Sequence, residues 1–285
     1  MRRRLRASAP GFAAPVVGFV LGLVLVLTYP DRTAPLWLLW APLALALSTA
    51  SGALFVYGLR RWVDLIALHP VRVSDVAAPV VAAEAVGVLG INVPFFLSGA
   101  AHANSRNSVL LTFALLAGFP AGGVMYGIRQ VASSTPLCRT AGGKLALLVG
   151  LRRLLQRLLA AVGSLVALVT LQASALLALE RSMNTPFGHR PPQFVLIFGA
   201  VGSLLVAQGY VPGWTALQRE GHRLCDELFP MGSLDEASAI LSTAEGRQKL
   251  EQVLGVDRSM ITDMQTGLII LAPLVASAAA VLLPH

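Results

Sequence analysis

Residues 158–179 read LLAAVGSLVALVTLQASALLAL, a run of twenty-two positions without a charge. An α-helix needs ~20 mostly apolar residues to cross a hydrocarbon core ~30 Å thick. Leu and Ala favour helix, and the run holds no Pro that would remove a backbone donor. The segment before it, KLALLVGLRRLLQR at 144–157, sets Lys144, Arg152, Arg153 and Arg157 among leucines. Basic residues of that kind either lie at a membrane interface or extend the span into the aqueous phase, and they attract anionic lipid.

Runs of similar length recur at 12–29, 36–58, 76–100, 109–128, 193–214 and 265–283, which brings the expected spans to seven. Membrane barrels would show alternating strands of ~10 residues, and no such alternation is present. The composition agrees: 55% of the 285 residues are hydrophobic and 13% charged, against about 25% charged in soluble domains. The expected fold class is therefore all-α, a polytopic membrane helix bundle. Residues 1–214 carry helices one to six with short loops, 215–264 form a cytoplasmic helical segment, and 265–285 carry the seventh helix and an outer C-terminus.

A net charge of +8 and a pI near 10.5 would suit nucleic acid if the charge were clustered on a soluble face. Here it alternates with the spans. With seven crossings, 18 of the 22 basic residues share one side, and only Arg32, Arg106, Arg181 and Arg190 face the other. Positive charge beside spans reports orientation, so the N-terminus is expected inside and the C-terminus outside, with no nucleic-acid partner. The apolar run after MRRRLR is longer than the core of a secretion signal, and no A-x-A-like cleavage site follows it. It reads as a retained first span. Cys138 and Cys225 both fall on the inner side, where a structural disulfide is not expected. The dominance of Arg over Lys, with abundant Ala and Gly, suggests a bacterial inner membrane.

The outer loops are too short to fold by themselves. The inner segment 215–264 offers Ser233 as a helix N-cap, with Asp235 and Glu236 in the first turn, and Gly255 as the C-cap.

The stretch VAAEAVGVLGINVPFF at 81–96 places one carboxylate, Glu84, within the third span. Insertion scales put an acid at mid-membrane at about 2.5–3.5 kcal/mol, so an intramembrane acid marks a functional site by default. At 1.5 Å per residue Glu84 lies roughly 12 Å past the start of its span. Asn92 follows about 12 Å further on and roughly 80° round the helix. Pro94 cannot donate to the carbonyl of Gly90, and Gly118, Pro120 and Gly122 crowd the fourth span, so helix breaks are expected at Pro94, Gly118, Pro120 and Gly122. Gln172 and Gln208 in the fifth and sixth spans would complete a polar pathway if they face Glu84. Protein-facing and neutral is the expected state of Glu84.

Catalytic signatures are absent: the sequence has no H-E-x-x-H, no G-x-S-x-G and no phosphate loop. His102 and His189, with Glu180 nearby, are weak metal candidates on outer loops, and no metal or other cofactor is expected. The leading reading is a membrane scaffold or complex subunit that packs against another membrane protein or a second copy, with Gly18/Gly22 and Gly118/Gly122 as close-packing pairs. The alternative is a small proton- or ion-coupled transporter or channel using Glu84. A membrane-embedded enzyme comes third.

Overall fold

The computed structural model describes residues 10–29, 32–68, 71–97, 105–134, 140–185, 188–189, 194–230 and 237–257. Among these the chain forms seven helices and no strand: α1 (Pro10–Leu27), α2 (Trp37–Leu68), α3 (Val73–Leu97), α4 (Ser105–Ser133), α5 (Ala141–Ser182), α6 (Phe194–Leu228) and α7 (Ala237–Leu254). Four of them, α2, α3, α4 and α5, are long and apolar enough to cross a membrane. Val16, Val20 and Val24 on α1, Val81, Val86 and Leu89 on α3 and Leu204 on α6 stand exposed. Apolar faces turned outward over several helices fit a multi-pass membrane protein, since water-soluble surfaces rarely carry contiguous apolar patches of this extent. The expected seventh span, 265–283, lies outside the described residues.

Glycine sets how closely the helices approach. A Cβ on Gly18 would fall 2.2 Å from the Ser48 carbonyl oxygen, and one on Gly52 would fall 2.2 Å from that of Ala14. α1 and α2 therefore meet backbone to backbone, and the Gly18/Gly22 pair is used within the chain. α4 is the centre of the bundle. Ala121 and Val124 on it are fully buried, and Gly127 lies against Leu65 and Trp62 of α2.

The breaks expected in α3 and α4 do not occur. α3 continues through Pro94 to Leu97, and α4 runs through Gly118, Pro120 and Gly122 as one helix of 29 residues. Proline removes one backbone donor, a loss that packed neighbours tolerate in membrane helices. The backbone of α2 presses on α4 at this point, where a Cβ on Gly58 would stand 2.7 Å from the Ala121 nitrogen. The close packing here rests on Gly58 of α2 and Gly127 of α4, whereas a Cβ on Gly118 or Gly122 would make only ordinary contacts, at 3.5 Å, with Glu84 and Val80 of α3.

Several helices also outlast their apolar runs. α2 continues to Leu68, α6 continues to Leu228, and α5 begins at Ala141, far ahead of residue 158. Leu65, Ile128, Leu148, Leu151, Leu155, Leu217, Leu224, Cys225 and Leu254 form one buried cluster across these extensions and α7. Segment 140–157 is therefore the extension of α5, with an apolar face that packs on α6 and α7. α7 ends at Gly255, whose φ of 66° is the left-handed geometry of a C-cap glycine. The Arg152 guanidinium donates to the Leu254 carbonyl at 2.5 Å, which satisfies an acceptor that the helix end leaves open. Ser233, Asp235 and Glu236 lie outside the described residues.

Candidate functional site

Four helices line a half-open apolar cavity of about 100 Å³. α3 contributes Val80, Ala83 and Glu84; α4 contributes Gly118, Gly122, Met125 and Tyr126; valines of α5 and Val201, Leu205 and Gly209 of α6 close the wall. Small residues keep the space open. A Cβ on Gly118 would stand 3.5 Å from Glu84 Oε1, an ordinary contact, whereas one on Gly202 would fall 2.7 Å from Val166 Cγ1. α5 and α6 therefore pack tightly at Gly202 beside the cavity, and Gly118 supplies the room for the carboxyl.

Glu84 is half-buried, yet its Oε2 is shielded from solvent and has no hydrogen-bond partner among the described residues. A buried polar atom without a partner costs about 1–3 kcal/mol. The carboxyl thus presents an unanswered hydrogen-bonding group to an apolar space. The volume is below the ~300–1,000 Å³ of sites that engulf a drug-sized molecule. Because the space is half open, it suits one end of an amphiphile, a ring or a short alkyl segment, with the rest of the molecule outside it.

The remaining residues singled out in the sequence do not converge on Glu84. Gln172 is fully buried on α5, but its amide nitrogen donates to Asn107 Oδ1 at 2.8 Å. Gln208 is exposed on α6 and hydrogen-bonds the side chain of Tyr126, one of the residues that line the cavity. Asn92 and Pro94 lie on the backbone of α3, and their side chains are outside the described set. Gln172 and Gln208 are thus engaged with Asn107 and Tyr126, and Glu84 is the one carboxylate at the cavity wall among the described residues.

The opposite end of α5 from α7 carries a polar cluster around Glu180, whose partners Tyr29 and Thr185 sequence reasoning missed. Glu180 is 4% exposed. It accepts from the Tyr29 hydroxyl at 2.9 Å and from the Thr185 hydroxyl at 2.7 Å. The Tyr29 ring packs on Trp40 with centroids 4.9 Å apart. Thr185 was hidden in a polar loop, and Tyr29 sits at the end of the first apolar run, so neither carried a sequence signal. His189 is exposed, and His102 lies outside the described residues. Among those described, no three His, Cys, Asp or Glu side chains gather as metal ligands.

On the α7 side, ion pairs fix the helical extensions. Lys144 of α5 meets Glu227 of α6 at 3.1 Å, and Arg247 of α7 meets Asp226 at 2.8 Å and Glu251 at 2.8 Å. Arg152 is committed to the end of α7, while Arg153 and Arg157 are exposed.

Comparison with protein-family models, with curated proteins and with solved structures gives no match to this chain.

Proposed function

We propose that this chain is a seven-span membrane protein, N-terminus inside and C-terminus outside, that binds a small amphiphile from the lipid phase at Glu84 and couples its passage to a proton. The orientation rests on the 18-to-4 division of basic residues between the two sides. The observation that carries the function is the buried, unpartnered Glu84 Oε2 at the wall of an apolar cavity. A solute with an apolar body and one amine or hydroxyl group would place the body among the valines and leucines and the donor on Glu84. Release of the carboxyl proton on binding a cation, and its return on release, keeps the charge of the site balanced.

Two experiments test this reading. The first is labelling with the apolar reagent dicyclohexylcarbodiimide in native membranes across pH. Glu84 is expected to be modified, Glu84→Gln is not, and a lipophilic amine such as tetracaine is expected to protect it. The second is tetracaine binding by the purified protein, where Glu84→Gln is expected to weaken binding at least tenfold. Absence of labelling at every pH in the folded protein would remove the reading.

A scaffold role keeps one observation in its favour. The apolar window of α3 is 17% buried, against 50% for α4 and α5, so α3 offers most of its surface to lipid or to another membrane protein. The scaffold reading predicts tetracaine binding that is indifferent to Glu84→Gln, and a partner or second copy that cross-links through Val81, Val86 or Leu89. Attraction of anionic lipid to Arg153 and Arg157 is part of either reading.

A further inference from the structure

A second cleft, of about 310 Å³, opens on the α7 side between α4 and α6 and is lined by Arg129, Val211, Pro212, Thr215, Ala216 and Arg219. Its composition differs from that of the Glu84 cavity. Two guanidinium groups from different helices border it, both exposed, and neither makes an ion pair with an acid among the described residues. The cations nearby are occupied: Arg223 pairs with Glu227, Lys144 with Glu227, and Arg247 with Asp226 and Glu251. The Thr215 hydroxyl donates back to the Val211 and Pro212 carbonyls, which leaves the arginines as the donors that face the cleft.

The level of the cleft is informative. Apolar runs four and six end at residues 128 and 214, so Arg129 and Thr215 are the first residues beyond them. Trp214 sits at the same level, in the position where aromatic side chains mark the membrane boundary. An anion held there lies at headgroup depth, and Val211 and Pro212, which precede the boundary on α6, supply an apolar wall on the hydrocarbon side. Arginine binds phosphate through paired N–H donors in a fixed plane, which favours phosphate oxygens over a lone point charge.

We propose that the Arg129–Arg219 cleft binds the phosphate of an anionic phospholipid at the membrane boundary on the α7 side. The site is independent of Glu84 and of any solute bound there. It has a structural consequence: a lipid seated between α4 and α6 bridges two helices that also wall the Glu84 cavity.

The test uses the full chain purified in a neutral detergent and titrated with phosphatidylglycerol, phosphatidylcholine or glycerol 3-phosphate, read by native mass spectrometry and by thermal unfolding. Phosphatidylglycerol is expected to bind and to raise the unfolding temperature more than phosphatidylcholine, and glycerol 3-phosphate is expected neither to bind nor to compete. Near-surface arginines contribute roughly fivefold each in affinity for anionic lipid. Arg129→Gln with Arg219→Gln is therefore expected to weaken phosphatidylglycerol binding about 30-fold, and the Lys pair to recover part of it. Arg153→Gln with Arg157→Gln, on an open helix face, serves as comparator and is expected to lose far less. Unchanged binding by the Arg129/Arg219 variant, or loss confined to the Arg153/Arg157 variant, would overturn the site. Full competition by glycerol 3-phosphate would overturn the lipid as its occupant and leave a soluble phosphate ester.

Discussion

The Gln172 amide nitrogen donates to Asn107 Oδ1 at 2.8 Å, and the two side chains are 0% and 3% exposed. This contact ties α5 to the start of α4. Its two halves are unequal, because Gln172 Oε1 is buried with no partner among the described residues. Asn107→Leu would leave two unsatisfied groups on Gln172, whereas Gln172→Leu would leave one carboxamide exposed to the same apolar surroundings. Interhelical hydrogen bonds in membrane proteins are worth about 0.6–1.7 kcal/mol, and an unpaired buried group costs about 1–3 kcal/mol. Asn107→Leu is therefore expected to be the more damaging single change, with the double variant more stable than either, as measured by unfolding in detergent.

Glycine-to-alanine changes separate packing from helix propensity. Gly18→Ala and Gly52→Ala place a methyl group 2.2 Å from a backbone carbonyl of the facing helix, so α1 and α2 must part. A cost of about 1–3 kcal/mol is expected, as for other overpacked contacts. Gly150 has nothing within 4 Å of its added Cβ, and Gly150→Ala is expected to stabilise α5 by about 0.5–1 kcal/mol. Opposite shifts in unfolding temperature for the two classes check both statements.

Acid should loosen the α5–α6 contact in a defined direction. The hydrogen bond from Lys144, aided by the Lys144 and Arg223 charges, holds the Glu227 carboxyl below its ordinary value of 4.5 despite some desolvation. A carboxyl with a depressed folded-state value stabilises fully above its unfolded value and loses that contribution as pH falls through the folded one. The difference in unfolding temperature between the wild type and Lys144→Ala is therefore expected to persist at pH 7 and at pH 5. It should vanish on acidification below pH 4.5, the window set by the Glu227 shift. A difference left undiminished by full protonation of Glu227 would mean that the pair contributes nothing through charge.

Cys225 offers a probe of the same region. Its side chain is fully buried in the cluster formed by the helical extensions, and desolvation, with the Glu251 charge, pushes the thiol above its ordinary value of 9.0. The thiolate is the reactive form. In a Cys138→Ser background, maleimide is expected to leave Cys225 unmodified at pH 7 until the protein unfolds, with the modified fraction following the unfolding curve.

The sequence made the helices and their order legible through the apolar runs, because a hydrocarbon core imposes a length that can be counted. It underestimated α2, α5 and α6, whose extensions carry charges on one face and Leu on the other, a pattern that looks polar when averaged over a window. Gly118, Pro120 and Gly122 were read as a break, although their effect is set by the α2 and α3 surfaces against them, and no local pattern reveals those surfaces. Glu84 was legible as an acid out of place. The apolar nature of its cavity was not, since it follows from Gln172 finding Asn107 and from Gln208 turning outward. The Arg129–Arg219 cleft joins two helices distant in sequence, so neither residue stood out from the positive charges around it.

α5 runs for 42 residues, which at 1.5 Å per residue is about 63 Å, twice the thickness of a bilayer core. It contains no proline, and its ends hold different machinery: Glu180 with Tyr29 and Thr185 at one, Lys144 and Arg152 with α6 and α7 at the other. A rod of this kind acts as a lever. A tilt of roughly 5° about one end would sweep the other through about 5 Å at this length, so a rearrangement around Glu180 would be delivered mechanically to α7 at the other end of the rod.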